Sequence, residues 1–243
     1  MVKIGIICAG DREFEPFLAQ ITDYETSEKA MLKFYLGKIF DLEVVALYCG
    51  VCKTNAAIAT QILIDNYNVD LVINAGTAGG MDRKIQIFDT VISTKVAHHD
   101  VNESILTEFH PWLPSVYFES DKILLTLSKK VVEIIKTKGK IYFGKMVTGE
   151  KFITDEGRNE INKIFEPLSV DMETASIAHT CYVNKIPFIA IRCITDTATH
   201  SGVENFDKNC LIASEISKDI VIELIKQIKN NGFATAETFT KNN

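Results

Sequence analysis

The sequence predicts an α/β fold: a single domain on a mixed, mostly parallel central β-sheet flanked by helices on both faces. Three observations carry this. Short β-branched runs alternate with stretches of helical period from one end of the chain to the other. One run, residues 69–74, is apolar at Val69, Leu71, Val72 and Ile73, on both alternating faces, as a strand covered on both sides must be. No Pro/Gly/Ser linker, internal repeat or low-complexity tract divides the chain. The domain is placed at residues 1–230, with 231–243 as a C-terminal tail whose Thr, Lys and Asn offer little to bury.

The elements follow in order. Residues 2–8 form a β-branched strand bounded by Gly10, and residues 12–21 a helix with Phe14, Phe17, Leu18 and Ile21 in helical spacing. Residues 33–40 and 43–48 read as a hairpin about Asp41-Leu42. Residues 54–67 form a helix with Ala57, Ile58, Gln61, Ile62 and Asp65 on a period of about 3.6. The buried strand 69–74 then runs into a glycine loop, Gly76-Thr77-Ala78-Gly79-Gly80. Strands are expected at 89–97, 140–147, 168–171 and 187–194, and helices at 121–138, 159–165, 174–183 and 206–228.

Composition removes several classes of function. A chain of 243 residues, 47% apolar and 24% charged, is neither disordered, nor collagen-like, nor a disulfide miniprotein. Its 26 Lys+Arg against 32 Asp+Glu give a net charge of −6, which repels phosphate backbones, so no nucleic acid partner is expected. No stretch approaches the roughly 20 apolar residues that span a bilayer, and the start turns polar at Gly10-Asp11-Arg12-Glu13. A cytoplasmic protein without membrane contact is expected, its six cysteines free thiols. Cys49-Gly50-Val51-Cys52 lacks the second half of a zinc site; as a redox pair it would require a low-pKa thiol.

In α/β sheets the ligand lies beyond the carboxyl ends of the strands, where loops and helix N-termini converge. Gly10-Asp11-Arg12-Glu13, the glycine loop, Asp171-Met172-Glu173 and Thr195-Asp196-Thr197 all stand at such ends. Taken singly, each acid reads more readily as a helix cap or first-turn residue than as a catalytic group. Together they suit hydrolysis through a cationic, oxocarbenium-like state: one acid protonates the leaving group, one base activates water, and one acceptor grips sugar hydroxyls. No G-x-S-x-G nucleophile occurs. The glycine loop has neither a P-loop Lys-[Ser/Thr] nor a G-x-G-x-x-G opening a helix, so no nucleotide cofactor is expected; its glycines let a flat ring or a ribose approach the main chain. His98-His99-Asp100 has metal-ligand composition, but adjacent strand residues face opposite ways, so no metal is expected and a solvated loop or an interface is preferred. His179 reads as structural, and His110 and His200 as loop residues without obvious partners.

Five motifs occur in order: Lys3-Ile4-Gly5-Ile6-Ile7 followed by Glu13; Asn74-Ala75-Gly76-Thr77-Ala78-Gly79-Gly80; Thr148-Gly149-Glu150-Lys151-Phe152-Ile153; Val170-Asp171-Met172-Glu173-Thr174-Ala175; and Arg192-Cys193-Ile194-Thr195-Asp196. Across residues 2 to about 228 the chain thereby resembles the nucleoside phosphorylase/hydrolase superfamily and, within it, the 5′-methylthioadenosine/S-adenosylhomocysteine nucleosidases. The resemblance implies hydrolysis of a purine nucleoside's N-glycosidic bond, without cofactor or metal, by a homodimer. Glu13 would activate the attacking water, Asp196 would protonate N7 of adenine, and Glu173 would accept from the ribose hydroxyls while favouring positive charge at C1′. Met172 would pack on the ribose, Phe152 would stack on the base, the main chain of Ile153 would contact it, and Arg192 would hold water and carboxylates. Thr77, Gly79, Thr195, Val51 and Phe206 complete the implied binding set, Thr77, Val51 and Phe206 as looser matches.

Phosphorylases of this fold usually carry Gly-Asp-Pro-x-Arg near the N-terminus and an Arg before the glycine loop. Here Gly10-Asp11-Arg12-Glu13 and Asn74-Ala75 stand there, so hydrolysis is expected over phosphorolysis. Gly10, Asp171, Lys151 and the segment 101–118, with Trp112 a possible interface anchor, depart from the nucleosidase pattern. A futalosine- or adenosine-type substrate therefore stays open, as does a non-catalytic purine-nucleoside sensor.

Overall fold

Alternate residues of one strand show how the molecule is layered. Along β10 (Phe188–Asp196), Ile189, Ile191 and Cys193 enter one apolar cluster while Phe188, Ala190 and Ile194 enter another, the period of two that a strand covered on both faces requires. The computed structural model describes residues 2–110, 112–154, 157–199 and 202–233. Chain order is β1 (Lys3–Cys8), α1 (Asp11–Leu18), β2 (Thr22–Lys29), β3 (Leu32–Ile39), β4 (Leu42–Tyr48), α2 (Lys53–Tyr67), β5 (Leu71–Gly80) and β6 (Thr90–His98). Then follow α3 (Glu103–Glu108), β7 (Tyr117–Glu119), α4 (Lys122–Ile134), β8 (Ile141–Thr148), α5 (Arg158–Phe165), β9 (Ser169–Asp171), α6 (Thr174–Val183), β10 and α7 (Val203–Asn231). Helices α1, α4 and α7 cover the first face, and α2 and α6 the second.

The strands form one mixed sheet in the order β10-β6-β8-β9-β5-β1-β4-β3-β2. Because β10 also pairs with β5, the strands β10, β6, β8, β9 and β5 close into a ring, from which β1, β4, β3 and β2 extend. Parallel and antiparallel pairings are equally numerous among the described residues, a larger antiparallel share than the sequence reading held. The parallel pairs β1–β5 and β5–β10 lie side by side, so their carboxyl ends deliver residues 9–13, 77–80 and 195–196 to one rim.

Several elements differ from expectation. Strand β2 was not foreseen because Thr22–Lys29 is exposed on both faces and has no apolar alternation to betray it. Nor were α3 and β7, short elements inside 101–118. The glycine run is the end of β5, paired with β10 and β9, rather than a loop. Helix α2 buries Ala56, Ala59, Thr60 and Leu63 and leaves Ile58 exposed. Small residues share that face with Leu63 because α2 packs closely on α6, while Ile62 and Ile64 flank the core and only Ile58 points away. Helix α7 extends from Val203 to Asn231, and Phe233 packs on the core, three residues past the expected boundary; of the tail, 234–243 lie outside the described residues.

His98 is not solvated. It is buried on β6, its ring 6.1 Å from Phe118 and 5.9 Å from His179, which itself stacks on Phe118 at 4.6 Å. Burial, seconded by the charge of Lys53, pushes the His98 pKa down from 6.5 to about 4. The folded value lies below the unfolded one, so the unfolded chain takes up the proton first and stability is lost as pH falls across that interval. The expected loss is about 2–3 kcal/mol between pH 6.5 and 4 in urea titrations, with a flatter profile in His98→Leu. His99 and His179 are lowered by burial too, so the variant flattens the profile only in part. His110 does have a partner, its Nδ1 lying 3.0 Å from the Leu106 carbonyl; His200 lies outside the described residues.

Candidate active site

Glu13 is the third residue of α1, and it reaches back to the Gly10 N–H (3.3 Å) as a capping-box acid does. Capping accounts for one of its four bonds. Oε2 also accepts from the Ala9 N–H (2.8 Å), and Oε1 accepts from both the Thr77 N–H (2.6 Å) and the Thr77 hydroxyl (2.7 Å). The carboxylate is thereby fixed between the ends of β1 and β5. Gly76 makes this possible: at φ 144°, a Cβ there would lie 2.5 Å from Glu13 Oε1, inside the carboxylate.

The end of β9 divides the work between two acids. Asp171 Oδ1 accepts from the Glu173 and Thr174 N–H groups (3.1 and 3.0 Å) and from the Thr148 hydroxyl (2.6 Å), so it caps α6. Its other oxygen accepts from the Thr174 hydroxyl. Glu173 is thus released from capping, although it holds the N-cap position, and turns inward. Its Oε1 accepts from the Cys52 N–H (2.9 Å), which a left-handed turn at Gly50 and Cys52 aims across the strands, and its Oε2 pairs with Arg192 Nη2 (2.9 Å).

Arg192 comes from the α6-facing register of β10 and is 1% exposed. Its Nε lies 3.5 Å from Asp171 Oδ2, and its Nη1 is buried without a hydrogen-bonding partner in the protein. Burial of Glu173, together with the nearby Asp171 and Glu13, raises its pKa above the ordinary carboxylate value, against the pull of Arg192 and the Cys52 N–H. At the tip of β10, Asp196 is 2% exposed and accepts from the Thr195 hydroxyl (2.8 Å). Burial lifts its pKa too, and the Thr195 hydroxyl and the Arg158 charge only partly offset this. Asn209 on α7 pins the turn by donating to the Thr195 carbonyl (2.9 Å).

These acids face one cavity of about 410 Å³, whose wall holds every residue of the catalytic and binding set that the resemblance implies. Asp196, Gly79 and Val170 stand together on it, the tip of β10 against the ends of β5 and β9. Glu13, Gly10 and Arg12 line it where β1 runs into α1, and Val51, Phe152, Ile153, Met172 and Glu173 are also on the wall. A Cβ on Gly79 would come within 3.1 Å of Asp196 Oδ2, so the glycine keeps that oxygen accessible.

The capping reading open to every strand-end acid thus applies to Asp171. Sequence reasoning missed the Cys52 N–H, Asn209, and Ser217, which accepts from the Gly76 N–H (3.1 Å) and donates to the Ile191 carbonyl (2.9 Å); none of these carries a sequence signal. No group of three metal-ligating side chains occurs among the described residues. The Cys49/Cys52 redox reading does not fit, because both thiols are raised: Cys52 to about 11, by burial first and then by Glu150 and Glu173.

The family model described as "Phosphorylase superfamily" matches residues 3–226. The chain belongs to this superfamily. A Staphylococcus carnosus 5′-methylthioadenosine/S-adenosylhomocysteine nucleosidase is 36% identical to this superfamily member over 229 residues, 93% of this chain and 100% of the relative, which places it in that nucleosidase family. Two solved structures of such nucleosidases superpose with a TM-score of 0.86. The Colwellia psychrerythraea enzyme, in complex with adenine, is 33% identical and covers 93% of this chain and 95% of its own. The Neisseria meningitidis enzyme, in complex with methylthio-immucillin-A, is 30% identical and covers 93% and 99%.

Proposed function

We propose that this superfamily member hydrolyses the N-glycosidic bond of 5′-methylthioadenosine and S-adenosylhomocysteine, releasing adenine and the 5-thio-substituted ribose. The observation that carries the reading is the chemical division of three buried carboxyl groups on one cavity wall. Glu13 is an acceptor immobilised by four donors, Glu173 is bound to a guanidinium, and Asp196 is lifted by burial toward its protonated form. Asp196 gives its proton to N7 of the purine, Glu13 activates water, and Glu173 grips the ribose hydroxyls as charge builds at C1′. Arg192, with a buried Nη1 still to be satisfied, orients water beside these acids. Phe152 and Ile153 contact the base, Met172 the ribose, and Thr77, Gly79, Thr195, Val51 and Phe206 complete the lining.

Water rather than phosphate is the nucleophile, because a phosphate dianion would meet Glu13 and Glu173, while Arg192 is already engaged by Asp171 and Glu173. The active species is a homodimer; exposed Ile58, Phe109, Trp112, Tyr182 and Val183 offer apolar surface for the contact. No helix among the described residues is long and apolar enough to cross a membrane, and six free cysteines support a cytoplasmic location. The expected result is adenine release from both thio-nucleosides at a rate indifferent to added phosphate, followed by chromatography. Release that requires phosphate would make the protein a phosphorylase, and tight binding without release would make it a sensor.

A further inference from the structure

The wall at the β1 end of the cavity is unlike the rest. Gly10, at the entrance to α1, has nothing within 4 Å of where a Cβ would stand, so the wall there is open. Beyond it Arg12 lines the cavity, and its Nη1 lies 2.8 Å from Oδ1 of Asp207, the neighbour on α7 of the lining residue Phe206. The two side chains are 50% and 52% exposed and join segments 195 residues apart. An exposed pair of this kind adds little to stability, so packing does not require it. The contact engages one of the five guanidinium N–H donors.

On the reading proposed above, Asp196 takes the base, Glu173 the ribose hydroxyls and Glu13 the water. The substituent on the fifth ribose carbon is left with the wall formed by Gly10, Arg12, Val203, Phe206 and Cys210. We propose that the Arg12–Asp207 ion pair at the mouth of the cavity reads a zwitterionic amino-acid tail, Arg12 taking its carboxylate and Asp207 its ammonium. The site thereby favours S-adenosylhomocysteine-type nucleosides over those with an uncharged 5′ alkylthio group. A zwitterion laid antiparallel to an ion pair places every charge beside an opposite one, whereas a lone anion would be repelled by Asp207 and by the adjacent Asp11 and Glu13. Bidentate capture of a carboxylate also uses the guanidinium donors that Asp207 leaves unengaged.

The test measures adenine release from methylthioadenosine, S-adenosylhomocysteine, and a 5′-thioether that carries a carboxylate but no ammonium. In Arg12→Met the ratio of kcat/KM for S-adenosylhomocysteine to that for methylthioadenosine is expected to fall about tenfold, mainly through KM, and in Asp207→Asn about threefold. The carboxylate-only substrate gains on S-adenosylhomocysteine in Asp207→Asn, and raising ionic strength lowers the parental ratio. A ratio within about twofold of the parent in Arg12→Met overturns the proposal, as does an equal loss on both substrates. Parental protein that frees adenine from none of the three would remove the underlying hydrolase reading and this inference with it; adenine release with an unmoved ratio removes the inference alone.

Discussion

Asp196→Asn is expected to lower the rate of adenine release by about 100- to 10,000-fold while leaving the melting temperature near that of the parent. The substitution keeps shape and keeps an acceptor for the Thr195 hydroxyl, but removes the carboxyl proton assigned to the purine N7. Adenine is a poor leaving group as an anion, so the lost proton is felt in kcat. The pH profile follows from the direction of the shift. Burial raises the Asp196 pKa, so the protonated, working form persists further up the pH scale than for an exposed Asp, and kcat/KM declines as pH rises through the raised value. Both quantities come from following free base by absorbance across pH. A variant that keeps the parental rate would end the assignment of Asp196 as the acid.

Arg192→Met is expected to destabilise the fold by about 3–5 kcal/mol, because it leaves two buried carboxyl groups face to face with no counter-charge. At this chain length each kcal/mol moves the melting temperature about 2–4 °C, so a drop of about 6–20 °C is expected in scanning fluorimetry. The sign of its pH dependence separates this cause from a simple packing defect. Burial already raises the Glu173 carboxyl above its unfolded value, and without the guanidinium that opposes it the rise is larger. The contribution of this group is then present at low pH and is lost as pH rises through the folded value. The deficit against the parent should therefore shrink on acidification; a deficit that is constant from pH 5 to 8 would place the damage in packing alone.

What could be read in advance followed the strength of the local signal. The helix Thr174–Val183 has the same bounds in the sequence pattern and in the structure, because an acid cluster precedes it and Ala175, Ile177, Ala178 and Cys181 recur at helical spacing. The same holds for the acids at 13, 173 and 196, which stand at strand ends by topology alone. Strand β2 was invisible because pairing with β3 is its main tie and it buries nothing. The buried face of α2 is hard to read from the sequence because Ala and Thr carry little hydrophobic weight, yet close approach to α6 selects them. The closure of five strands into a ring depends on the β10–β5 contact between residues 72–79 and 188–196, and no local pattern announces a partner so distant in the chain. Donors such as the Cys52 and Thr77 N–H groups carry no side-chain identity at all, so the sequence could name the acceptors but not what orients them.

The missing β-carbon at residue 76 ties two sites into one inheritance. The Glu13 carboxylate occupies the volume that any other residue at 76 would claim, so the glycine has freedom to drift only in a lineage that has already given up the acid. A descendant of this protein turned to another task should therefore lose position 13 first and position 76 afterwards, and the reverse order should leave a stranded, unfit intermediate.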